Sequence, residues 1–118
     1  MAVLNDDECT KFLKTHYTLY NEWKRLEKEF ETAQQAVRAY QPNRDELELN
    51  YDPKQKRHLA VAQREMDKRI KNRDTVYTQK SDAHKKFGDF HRQIEKDHGK
   101  DFLNQLIEKA RSGKTTWN

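Results

Sequence analysis

The sequence is short of almost everything that bends, breaks or cross-links a chain. Its 118 residues include three glycines, two prolines and one cysteine. So few turn formers argue against an all-β fold and against a disordered tract rich in Gly and Pro. A single Cys9 excludes an intramolecular disulfide and a CxxC metal knuckle. No apolar run reaches the roughly 18 residues that a membrane-spanning helix needs. The first residues, Met1 to Glu8, lack a basic end followed by an apolar run, so the expected location is intracellular, cytoplasmic by default. Apolar residues are also scarce, at 33% against 37% charged. A large central core is therefore not expected, whereas a long seam between helices needs fewer apolar residues per length. The length fits one domain.

What is present is a stripe. Cys9, Phe12, His16, Leu19, Trp23, Leu26, Phe30, Ala33, Val37 and Tyr40 recur at alternating steps of three and four. That is an a/d heptad stripe, and an α-helix carrying one buries it against another helix. Lys24, Arg25, Glu27, Lys28, Glu29 and Glu31 lie between the stripe positions and face water. Cys9 falls on the stripe and reads as a small core residue.

The helix boundaries follow from capping chemistry. Asn5 with Glu8 three residues on forms a capping box, and Asp6 and Asp7 suit the positive end of the dipole. Helix 1 is expected over about 6–40, ended by Pro42 and Asn43. Residues 41–52 are expected to be a loop, acidic through Asp45, Glu46, Glu48 and Asp52, with Leu47, Leu49 and Tyr51 tucked over the end of the seam. Asp52, Pro53 and Gln55 mark a second start, so helix 2 covers about 53–98, with room for a bend at Gly88. Its apolar residues Leu59, Ala62, Met66, Ile70, Val76, Tyr77, Ala83, Phe87, Phe90 and Ile94 form a poorer stripe, diluted by Arg73 and Lys80. An antiparallel hairpin of these lengths sets Tyr40 near the start of helix 2 and Cys9 near residues 84–88. A short amphipathic helix 3 spans about 101–111 and presents Phe102, Leu103, Leu106 and Ile107 to a partner. Residues 112–118, including Trp117, are expected to be a tail.

Candidate chemistry is thin. Glu95-x-x-His98 is half of a di-iron helix motif, but the chain has no second copy. His84, His91 and His98 recur every seven residues, too far apart for one metal ion. They read as a polar flank of the seam, the alternative being a pH-sensitive face. Arg111-Ser112-Gly113-Lys114-Thr115 imitates a phosphate loop, yet Glu108 stands where the earlier glycine belongs. No catalytic residues, cofactor or metal set is therefore expected, and the chain does not read as an enzyme. The strongest signal outside the stripe is a basic run of Lys54, Lys56, Arg57, Arg64, Lys68, Arg69, Lys71 and Arg73 against only Glu65 and Asp67. Such a run suits nucleic acid or an acidic protein surface. With only Tyr77 nearby, base stacking is poorly supported.

The sequence thus implies an all-α, single-domain chain: a long antiparallel helical hairpin, coiled-coil-like, with a short C-terminal third helix. The expected function is helix pairing as an assembly subunit or adaptor of a larger complex. Its partner would be a second copy, as a homodimer, or another helical protein. A nucleic-acid-associated protein and a small chaperone-like hairpin are the alternatives.

Overall fold

The computed structural model describes residues 4–49 and 52–118, without the side chain of Gln55. Helix α1 spans Asp6–Leu49, a single 3₁₀ turn covers Pro53–Gln55, α2 spans Lys56–His98 and α3 spans Lys100–Arg111. No strand occurs among the described residues. The two long helices pack as an antiparallel hairpin, and the short third helix packs on them. No helix among the described residues is long and apolar enough to cross a membrane.

Both long helices start as their caps dictate. The Asn5 Oδ1 accepts the Glu8 backbone N–H at 2.8 Å, with Asp6, Asp7 and Glu8 in the first turn. Before α2, the Asp52 carboxylate accepts the Lys54 N–H at 3.0 Å, and Pro53 opens the 3₁₀ turn. The capping role expected of the Gln55 side chain lies outside the described residues.

The end of α1 differs from expectation. The helix does not stop near Tyr40 but runs through Pro42 to Leu49, so most of the expected loop 41–52 is helical. Proline inside a helix removes one N–H and costs about 3 kcal/mol. Contacts beyond it offset this. The Arg44 guanidinium pairs with Asp45 and with Glu48 one turn on, each at 2.9 Å, and its Nε donates to the Gln63 Oε1 on α2 at 3.0 Å. Leu47 is half-buried, whereas Leu49 is exposed; Tyr51 lies outside the described residues. The longer α1 also resets the register. His84 stands against Trp23 instead of near Cys9, and Arg69 rather than the start of α2 meets Tyr40.

Gly88 lies inside an uninterrupted α2, and the break falls at Gly99. Gly99 caps α3 at φ 92°, ψ 163°, a region open in practice only to glycine. A Cβ built there meets nothing within 4 Å, so backbone strain alone opposes a side chain. Gly99→Ala is expected to cost about 1–3 kcal/mol, read as a drop in the urea midpoint at constant slope.

By its contacts the chain divides into two compact units: Met1–Lys24 with Ser81–Asn118, and Arg25–Lys80. The first is closed by α3. Leu13 and Leu106, both 0% exposed, meet Ile94 and Ala110, with Phe12, Tyr17, Phe90, Phe102, Leu103 and Trp117 packed around them. Residues 112–118 are accordingly not a free tail. The Trp117 ring stacks on Phe102 at 5.1 Å, and its backbone N–H donates to the Thr10 Oγ1 at 3.0 Å. The second unit is a two-helix pair with a thin core of Leu26, Ala33, Val37, Ala62, Met66 and Val76.

Candidate functional site

The stripe on α1 is real but unevenly buried. Cys9, His16, Leu26, Ala33 and Val37 are buried, while Phe12, Leu19, Trp23, Phe30 and Tyr40 are half-buried. Cys9 is a core thiol: burial, then the nearby Asp6 and Glu8, push its pKa up and keep it protonated.

In the second unit, cations cover the aromatic stripe members. The Lys80 Nζ lies 4.6 Å from the Phe30 ring centre, and the Arg69 guanidinium 4.5 Å from that of Tyr40. Arg69 also donates to the Ala36 carbonyl oxygen at 2.8 Å and pairs with Glu65 at 3.0 Å. Of the two charges that dilute the α2 stripe, Lys80 therefore lies over a ring, as Arg69 does, with its head against the π face; Arg73 lies over none among the described residues. Heptad register holds here: Phe30 meets Tyr77 at 5.4 Å between ring centres, and two heptads on Arg44 meets Gln63.

Of the basic run, Arg69 is spent on the seam, and Arg73 is half-buried and pairs with Asp74 at 3.1 Å. Lys54, Lys56, Arg57, Arg64, Lys68 and Lys71 are exposed. The same unit exposes Tyr77 at 53% and Val61 at 60%, and carries a groove of about 780 Å³ between its helices, walled by Thr32, Ala33, Ala36 and Val76 and rimmed by Lys28 and Glu29.

In the first unit the helix expected to face a partner faces its own chain. Leu106 is fully buried against Leu13 and Ile94; Phe102 lies edge-on to Phe12; Leu103 and Ile107 are half-buried. The heptad histidines all touch aromatic rings, though His84 itself is exposed and His91 and His98 are half-buried. His84 lies 4.6 Å from Trp23, and His98 is wedged between Phe12 at 5.4 Å and Phe102 at 5.5 Å, so its ring is used in packing.

His91 does more than line a flank. Its Nε2 lies 2.9 Å from the His16 Nδ1, one nitrogen donating and the other accepting. His16 is 7% exposed, and burial, followed by the neighbouring His91, holds its pKa down to about 4. Burial lowers that of His91 too. Beside the pair opens a cavity of about 480 Å³, lined by His16, Tyr17, Tyr20, Phe87, His91, Ile107, Ala110 and Arg111. The stripe placed His16 in the seam, and the heptad histidines flagged His91. Their pairing was not legible, because it depends on the register that the longer α1 sets.

The fold and these surfaces define a class: a helical hairpin closed at one unit by a third helix. Compared with known proteins, the chain matches no family model, no curated protein and no solved structure.

Proposed function

We propose that the chain is a non-catalytic assembly or adaptor subunit that works by pairing helices, through the unit Arg25–Lys80. The observation that carries this reading is that unit's make-up: two helices, a thin core, an exposed Tyr77 and an open groove. A third or fourth helix laid along such a pair buries apolar surface at about 25 cal/mol per Å², before association costs. The partner is a second copy of the hairpin or a helix of another protein.

Light-scattering mass across a dilution series tests it. Self-pairing gives a mass above 14.3 kDa and a melting temperature that rises with concentration. Tyr77→Glu is then expected to return the monomer mass without loss of helical signal. A foreign partner is indicated by a marginal or aggregating monomer. A monomer of high, concentration-independent stability overturns both versions.

The six exposed basic side chains of the run favour a second reading, contact with nucleic acid. Such binding meets phosphates only, so it is sequence-indifferent and weakens steeply with salt. Duplex binding that survives high salt unchanged overturns it. The chaperone-like reading would need an exposed apolar face on α3; Leu106 is buried on its own chain there, while Leu103 and Ile107 are half-buried.

A further inference from the structure

We propose that the cavity between α1, α2 and α3 in the first unit is a binding site for a small planar aromatic carboxylate. Its volume of about 480 Å³ falls within the range of small-ligand sites, which in helical folds commonly open between helices. All three helices contribute walls, so the space exists only once α3 has docked. Apolar and aromatic faces dominate the lining: Tyr20, Phe87 and Ile107, with the edges of the two histidine rings. Flat rings offer a flat ligand stacking surfaces on several sides.

The polar groups are few and well defined. Tyr17 is spent, its hydroxyl 3.0 Å from the Ala110 carbonyl oxygen and 2.7 Å from that of Lys114, donating to one at a time. The histidine pair is not spent. Each neutral ring uses one nitrogen in the shared hydrogen bond. Of the two outer nitrogens, one then carries a proton and the other a lone pair, and exchanging tautomers exchanges the roles. Because both rings stay neutral near pH 7, they add hydrogen-bonding capacity without charge. The formal charge in the lining is the Arg111 guanidinium, and none of the lining residues is acidic. An apolar slot with one guanidinium and no carboxylate selects an anion carried on a flat ring, because the planar guanidinium fork matches a carboxylate.

The test is a titration of the isotope-labelled full chain with 1-naphthoate and with its neutral counterpart 1-naphthamide, followed by NMR. Both probes are expected to shift the ring signals of His16 and His91 and the methyl signals of Ile107, with the carboxylate binding about fivefold more tightly, as suits a partly exposed charge pair. Arg111→Gln, at an exposed position, is expected to erase that preference and leave the amide unaffected. Ile107→Trp, which fills the slot, is expected to abolish both responses. No localised shifts at millimolar probe, equal binding of the two probes by the parent chain, or full binding by a folded Ile107→Trp variant each overturns the proposal. These readouts do not depend on oligomeric state, so they succeed or fail independently of the helix-pairing function.

Discussion

Leu106→Ala is expected to destabilise the chain by about 3–5 kcal/mol, the upper part of the range for emptying a sealed core site. Leu106 is 0% exposed and meets Leu13, also 0% exposed, across the contact that docks α3. The site is enclosed by residues of all three helices, and a cavity left there adds to the lost transfer energy. Leu13→Ala is expected to match it. Phe30→Ala, in the middle of the stripe, is expected to cost less despite removing more atoms. Its ring is half-buried, and the Lys80 stem and head cover one face. Urea unfolding of the three variants, read by helical circular dichroism, checks the order. Equal losses for Phe30→Ala and Leu106→Ala would show that the stripe, and not the α3 contact, carries the stability.

That order reverses the emphasis the sequence suggests, and the reason is local. A heptad stripe predicts which face of a helix is turned inward, but not what meets it. Trp23 and Phe30 are turned inward, but α2 brings His84 to the first and Tyr77 and Lys80 to the second. Leu13 lies off the stripe, one position after Phe12, and is buried because α3 comes down on it. Such a third-helix contact has no signature in the periodicity of α1 alone. The Asn5 and Asp52 caps and the amphipathic α3 were legible because each depends on residues within one or two turns, and the helical hairpin because two long apolar stripes flank a single capped restart. Pro42 misled for the opposite reason: the contacts that carry α1 past it, Arg44 to Gln63 above all, bridge distant parts of the sequence. The histidine pair belongs with these long-range features, since His16 and His91 meet across the seam.

Acidification from pH 7 towards pH 4 is expected to remove about 3 kcal/mol of stability through His16. Its pKa in the folded chain lies at about 4, below the ordinary value of 6.5 that it regains on unfolding, chiefly because burial disfavours the imidazolium and secondarily because His91 adjoins it. The unfolded chain therefore binds the proton first. The contribution is fully present above about pH 6.5, falls as the pH drops below that value, and is lost by the folded pKa near 4. His91, whose pKa burial also lowers, adds in the same direction. None of the residues lining the cavity beside the pair is acidic, so no carboxylate stands there to draw the proton in. A variant that lacks both rings but keeps every other titratable group isolates the pair. Urea midpoints at pH 7 and pH 5 for the parent and for His16→Phe with His91→Phe make the comparison. The parent midpoint is expected to fall by clearly more than the double variant's. A parent midpoint unchanged over that interval would mean that the pair takes up its proton without cost, and so that it is not sealed from water in the folded chain.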